Sequence, residues 1–164
     1  MSQLSLEINQ KSYSLTPAGN RLLIETLRDD LGLTGTHSGC DTSQCCACLV
    51  LIDGQSVKSC SVFTAELDGA SITTIEGIAA AEGDSPLGRI QTAFRDHHGL
   101  QCGFCTSGMI ISATELLASQ PQPTEAEIRH WLEGNICRCT GYQNIVASII
   151  AAATAVSAEG GAHV

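Results

Sequence analysis

Nine cysteines in 164 residues constrain this chain more than any other feature, because eight of them fall into two spaced sets. The first is Cys40, Cys45, Cys48 and Cys60, a C-x4-C-x2-C run with a remote fourth member. The second is Cys102, Cys105, Cys137 and Cys139, a C-x2-C on one segment and a C-x-C on another. Each short loop must turn several sulfurs towards one point. Disulfides meet that demand in exported proteins, but the chain opens without the charged-then-apolar stretch of a signal peptide. A cytoplasmic location is therefore expected, where thiols stay reduced and such spacings are read as metal ligands.

A C-x4-C-x2-C run with a distant fourth cysteine is the plant-type 2Fe-2S spacing. Each iron takes two thiolates, and the bridging sulfides need shelter from water and backbone N–H donors, so three ligands on one wrapping loop suit the group. The segment SGCDTSQCCACLV supplies that loop from small residues, and Cys60 follows beyond an Asp53-Gly54 hairpin turn. Tetrahedral zinc also suits the second set taken alone. Beside a ferredoxin-type loop, a second diiron centre is the expectation. His97 and His98 precede Cys102, but four cysteines already complete each ligand count, so histidine ligation is not expected.

With 43% apolar and only 4% aromatic residues, any core must be built from Leu, Ile, Val and Ala. The formal net charge of -9 argues against a nucleic-acid partner. The longest apolar stretch, Ile145 to Val156, is interrupted by Ser148 and Thr154 and is too short to span a bilayer, so no direct membrane insertion is expected. No nucleophile stands with a base at motif spacing, and neither GxGxxG nor a phosphate loop occurs. No catalytic residue and no flavin site are expected in this chain; two metal centres so close together suggest an electron relay.

The fold class expected is α+β: an N-terminal β-grasp ferredoxin-like 2Fe-2S domain over residues 1–76, then an all-α four-helix 2Fe-2S-binding domain over 77–157, with 158–164 as a disordered tail. LSLEIN (4–9) alternates as a strand, with YSLTP its hairpin partner after a Gln10-Lys11 turn. RLLIETLRDDLGL carries Leu22, Leu23, Ile24, Leu27 and Leu31 at helical spacing and ends at Gly32. ACLVLID and QSVKSC pair about Asp53-Gly54, and ASITTIE follows Asp68-Gly69. Helices are expected over Pro86 to Asp96, Phe104 to Ser119, Thr124 to Leu132 and Asn144 to Ser157, the third opened by a Thr124/Glu127 capping box. Cys102 and Cys105 then lie at one helix start and Cys137 and Cys139 in the turn before another, where the positive helix ends favour anionic thiolates.

The stretches LRDDLGLTGTHSGCDTSQCCAC, VKSC, SITTIEG, HGLQCGFCTSGMI, PTEAEIR and GNICRCTGYQNI together resemble the small iron-sulfur subunit of the molybdenum hydroxylases, the xanthine oxidase superfamily. Within it, CDTSQC, SVKSC, TEAEIR and CTGYQNIV look closest to the small subunit of aerobic carbon monoxide dehydrogenases, with bacterial N-heteroaromatic hydroxylases the near alternative. The resemblance implies a hetero-oligomer with a large subunit carrying a molybdopterin-type cofactor and commonly a medium subunit carrying FAD. It implies that Cys102, Cys105, Cys137 and Cys139 hold the cluster nearer molybdenum, and Cys40, Cys45, Cys48 and Cys60 the cluster nearer FAD, with electrons passing in that order. The substrate stays open between carbon monoxide, an N-heterocycle and an aldehyde, and a free-standing two-cluster carrier is the alternative function.

The same resemblance makes Gln101 a candidate molybdopterin contact, although a simple loop or capping role fits it equally. Two positions depart from the family pattern: Cys46 stands where glycine is usual, and Ser107 where proline is usual. A glycine there serves close approach or unusual dihedrals, so Cys46 either strains the loop or finds a permissible conformation; since Cys45 and Cys48 satisfy the spacing, it is not expected to be a ligand. Arg138 is compatible with offsetting cluster charge or with an ordinary ion pair, and Trp131 and Tyr142 are expected as packing anchors.

Overall fold

The structure is a computed structural model that describes residues 3–79 and 87–160, the last six of these by backbone only. Five strands, β1 (Leu4–Ile8), β2 (Lys11–Leu15), β3 (Leu49–Ile52), β4 (Gln55–Lys58) and β5 (Ser71–Thr73), form one mixed sheet in the order β2-β1-β5-β3-β4. β1 and β5 run parallel, and the remaining neighbours are antiparallel. The α+β class is thus observed. Alternation in β1 buries Leu4, Leu6 and Ile8 and exposes Ser5 and Glu7. The first hairpin turns one residue earlier than expected: Ile8 pairs with Lys11, so Asn9 and Gln10 are the turn, at φ 51° and 64°. Asn supports that left-handed conformation better than the Gln-Lys pair would.

The helix expected from Arg21 is shorter and wider. It begins as α1 (Leu23–Glu25) and continues as a π turn over Thr26–Asp30, closed by Leu31 N–H donating to Thr26 C=O. Leu23, Ile24 and Leu27 are buried, and Thr26 is held by a buried 2.8 Å hydroxyl contact with Thr64. Gly32 ends the segment at φ 70°, a conformation glycine adopts without a Cβ penalty.

The second half holds α2 (Ile75–Ile78), which the sequence pattern did not reveal, then α3 (Arg89–Asp96), α4 (Thr106–Ser119), α5 (Glu125–Trp131) and α6 (Gln143–Gly160). The expected start of α3 at Pro86 lies outside the described residues. Helix α6 reaches Gly160, into the stretch expected as a disordered tail; 161–164 lie outside the described residues. The capping box of α5 forms as expected, with Glu127 N–H donating to Thr124 Oγ1 and the Glu127 carboxylate accepting from Thr124 N–H at 2.7 Å. Hydrogen bonds from the Thr124 side chain first, then from Gln120 and the Thr124 backbone, hold the Glu127 carboxyl down to about 2.

Substituting Thr124 with alanine is expected to cost about 1 kcal/mol, read in a thermal melt. Because the folded-state value of Glu127 is depressed below the ordinary 4.5, its contribution is present above pH 4.5 and fades as pH falls towards about 2. The gap between the Thr124→Ala and parent melts should therefore narrow across that window, leaving the part due to Glu127 N–H donating to Thr124 Oγ1.

Two hydrophobic clusters form, and β3 belongs to both. Val50 and Ile52 point into the cluster of Leu4, Leu6, Ile8, Leu23, Leu27 and Ile72, whereas Leu49 and Leu51 pack with Phe94, Met109, Ile111, Ile128, Ile145 and Ile149. The continuous apolar run Leu-Val-Leu-Ile is what a strand covered on both faces requires. Helix α4 lies over β3 and β4, pinned where the Glu115 carboxylate accepts from Ser56 N–H at 3.0 Å and from the Ser56 hydroxyl.

Candidate metal centres

The loop before β3 is built around Cys40. Backbone N–H groups of Cys45, Thr42 and Gln44 donate to its sulfur and bring the thiol down to about 6. A loop whose N–H groups converge on one sulfur is a preformed nest for a thiolate. Cys45 supplies a further contact to Cys40, and Ser43 takes the left-handed turn the loop needs at φ 55°. Cys48 stands immediately before β3, and Cys60 lies in a 3-10 turn (Ser59–Ser61) immediately after β4. The hairpin register, Leu49 opposite Lys58, brings the two sulfurs 3.3 Å apart. Ser59 completes this end by donating from its hydroxyl to Cys48 C=O at 2.7 Å. Burial pushes the Cys48 thiol up to about 12.

The second set is assembled from two segments. Cys102 is exposed, Gly103 turns the chain at φ 83°, and Cys105 is the N-cap of α4. Cys137 and Cys139 lie between the 3-10 turn Leu132–Gly134 and α6. Cys102 and Cys139 sulfurs are 3.5 Å apart, and Cys105 contacts Cys137. Burial first, then the Cys137 contact, pushes the Cys105 thiol up to about 12.

All nine cysteines are free thiols. The eight come together in twos: Cys40 with Cys45, Cys48 with Cys60, Cys102 with Cys139, and Cys105 with Cys137. Among the described residues, no three or more His, Cys, Asp or Glu side chains group as ligands of one ion. A tetrahedral zinc draws four sulfurs to one point, whereas a diiron group takes two at each end. Two pairs in each set fit the second arrangement. The buried Cys48 thiol and the half-buried Cys105 thiol would release their protons on metal binding.

The other sequence candidates are exposed or half-exposed. His97 is the C-cap of α3 and His98 follows it, both exposed. Gln101 and Arg138 are exposed beside Cys102 and between Cys137 and Cys139. Trp131 is half-exposed, its indole N–H donating to Ser112 C=O at 3.0 Å.

Hydrogen bonds that short-range sequence patterns do not predict join the two sets and shape the second. Ile136 N–H donates to Cys45 C=O at 3.1 Å, so the residue before Cys137 is bonded to a cysteine of the other set. Tyr142, expected only as a packing anchor, donates its hydroxyl to Asn135 C=O at 3.0 Å and accepts from Cys137 N–H at 2.9 Å. Its position five residues after Cys137 was the available signal. Tyr142→Phe leaves two buried backbone groups unpaired and is expected to cost about 2–3 kcal/mol in a chemical melt. Cys46 is buried against the helical cluster at φ 58°, its sulfur 3.9 Å from where a Cβ on Gly134 would stand, and burial raises its thiol.

Among the described residues no helix is long and apolar enough to cross a membrane. Residues 74–150 match the 2Fe-2S binding domain family. Over 148 residues the chain is 43% identical to the nicotine 6-hydroxylase small subunit of Paenarthrobacter nicotinovorans, covering 90% of this chain and 87% of that one. Over 149 residues it is 41% identical to caffeine dehydrogenase subunit gamma of Pseudomonas sp. (strain CBB1), covering 89% and 87%. The solved structure of quinoline 2-oxidoreductase from Pseudomonas putida 86 superposes with a TM-score of 0.89 at 40% identity, covering 96% of each chain. Identity at that level over nearly the whole chain, joined to cysteines paired in twos, means that this protein belongs to the small iron-sulfur, electron-transfer subunits of the molybdenum hydroxylases.

Proposed function

We propose that the chain holds two 2Fe-2S centres, one on Cys40, Cys45, Cys48 and Cys60 and the other on Cys102, Cys105, Cys137 and Cys139. The β-grasp unit of residues 1–76 carries the first and the helical unit of 77–157 the second. When bound, the centres supply one-electron carriage between a substrate-oxidising subunit and an acceptor. The observation that carries the reading is the grouping of eight free thiols into four pairs, two pairs in each set.

The protein's own residues do the rest. Backbone N–H groups at Cys40 stabilise negative charge on sulfur, and Thr140, whose hydroxyl lies 3.1 Å from the sulfur of Cys137, does the same at the other set. The N-terminus of the fourteen-residue helix α4 adds its positive end beside Cys105. Burial of Cys48 and Cys105 keeps water from one side of each set.

Three exposed large apolar side chains, Leu100, Phe104 and Ile136, lie on the segments that carry the exposed Cys102 and Cys139. A large molybdopterin-binding subunit docks there in this proposal, with the exposed Gln101 within reach of its cofactor. An open groove beside Cys40 and Cys60, lined by Glu25, Arg28, Asp29 and Asp41, receives a medium FAD subunit. The oxidation is assigned to the partner, and relatives named for nicotine, caffeine, quinoline and aldehydes leave its substrate between an N-heterocycle and an aldehyde. A cytoplasmic location accords with the free thiols.

Metal and acid-labile sulfide analysis of the protein purified with its partners tests the reading. Four irons and four sulfides per copy of this chain are expected, co-purifying with a molybdenum-containing chain. Stoichiometric zinc in place of two of those irons would overturn the assignment of the second set.

A further inference from the structure

We infer that His37 is a positioning residue: it locks the loop carrying Cys102 and Cys105 onto the loop carrying Cys40, and so fixes the spacing between the two cysteine sets. The inference rests on the reading that each set holds a diiron centre. Two contacts to one residue carry it. The imidazole stacks on the Phe104 ring at 4.7 Å between centroids and 17° between planes. Its Nδ1 lies 2.8 Å from Phe104 C=O, and because a carbonyl only accepts, Nδ1 is the protonated nitrogen. One side chain therefore holds both the ring and the backbone of a residue 67 positions away.

Phe104 needs such a clamp. It lies between Cys102 and Cys105 but is 46% exposed, so core packing does not fix it, and the preceding Gly103 at φ 83° leaves the backbone free to turn. Its ring crosses Gly39, where an added Cβ would stand 3.0 Å from Phe104 Cε1 and 3.2 Å from the Cys45 sulfur. His37 is itself anchored: its N–H donates to Ala47 C=O at 3.3 Å, and the Thr36 carbonyl before it accepts from Arg28 Nη1 at 2.8 Å.

The second set is built from two segments, and among the described residues each makes a hydrogen bond to the loop of the first, beside the packing of α4 on the Cys46 backbone. The Cys137 segment is tied through Ile136 N–H on Cys45 C=O, and the Cys102 segment through His37 on Phe104. Without the histidine, the Ile136 hydrogen bond and the packing of α4 on Cys46 remain, and neither holds Phe104. The loop of Cys102 to Cys105 can then drift relative to Cys45 while all eight thiols stay present.

The test is electron paramagnetic resonance on the assembled, dithionite-reduced enzyme, where two paramagnetic centres at a fixed spacing split each other's signals uniformly. His37→Ala is expected to retain four irons per chain but to smear that splitting into a distribution, with a shift in the midpoint potential of the second centre. His37→Asn, whose amide nitrogen replaces the Nδ1 donor, should recover part of the uniform splitting. His37→Phe keeps only the stack and should fall between the two. A general stabilising role would change melting alone and leave splitting and potential untouched.

Splitting and potential in His37→Ala identical to the parent would overturn the inference. Should His37→Ala lose iron, the Asn variant decides: iron with parental splitting supports the clamp, and equal iron loss in the Ala, Asn and Phe variants overturns it. Failure of the underlying two-centre reading is visible separately, as fewer than four irons in the parent protein before any substitution.

Discussion

Gly108→Ala is expected to lower the melting temperature by about 6–12 °C. Glycine to alanine inside a helix ordinarily stabilises by about 1 kcal/mol, through helix propensity and the unfolded chain. At Gly108 that gain is overwhelmed. A Cβ would stand 2.0 Å from the Cys46 carbonyl oxygen, 3.0 Å from its carbonyl carbon and 3.1 Å from Ala47 Cα. Every obstructing atom is backbone of the loop between Cys45 and Cys48, so no rotamer change relieves the contact.

Helix α4 must back away instead, which draws Cys105 at its N-cap away from Cys137 and strains the Asn135 amide bond to Gly108 C=O. Overpacking of this kind costs about 1–3 kcal/mol and sometimes more. With the obstruction entirely in the backbone, about 3 kcal/mol is expected, and each kcal/mol moves the midpoint by about 2–4 °C at this chain length. A melt of the iron-loaded protein measures it; a midpoint at or above the parent's would mean that α4 slides without resistance.

Cys45→Ser should remove two of four irons per chain and abolish the signal of the first centre, whereas Cys46→Ser should keep both. The two cysteines are adjacent, yet their environments differ. Cys45 contacts Cys40, while Cys46 is turned by its positive φ into the helical core beside Gly134. The cost of Cys46→Ser is that of burying a hydroxyl without a partner, about 1–3 kcal/mol. Iron content and stability thus separate the two variants: one loses metal, the other loses stability with its metal intact. Loss of the signal in Cys46→Ser alone would reverse the assignment.

The positive φ at Cys46 has a consequence for the family comparison made from sequence. Glycine is the residue expected at a left-handed position pressed against another backbone, and Cys46 adopts that conformation at φ 58°. What the sequence could not supply is the offset. The thiol fills space in a cluster assembled from Leu49, Met109, Leu132 and Cys137, whose members are remote in the chain. For Ser107 the structure gives burial and a hydroxyl with no hydrogen-bond partner, and no reason for the departure from proline.

Much of the architecture was legible because it is written in short-range periods. Alternation marked β1, the Asp53-Gly54 pair marked the β3–β4 turn, and Thr124 with Glu127 marked the start of α5. The departures are local as well. The apolar stripe after Arg21 predicts a regular helix because spacing is blind to the Thr26–Thr64 contact beside which the helix widens into a π turn. The Asn9-Gln10 turn was displaced by one residue because hairpin register is decided by the partner strand.

By itself the sequence determined the eight sulfurs, their division into two sets, and the helix and strand ends on which they sit, since ligand spacing and capping are properties of a few consecutive residues. Only the tertiary structure decided which sulfur meets which, that β3 serves two cores at once, that His37 and Ile136 join the sets, and that Tyr142 shapes the turn at Cys137. Those contacts join residues far apart in the chain or turn on backbone dihedrals, and no local pattern encodes them; packing selects them once the sheet has laid its second face against α4.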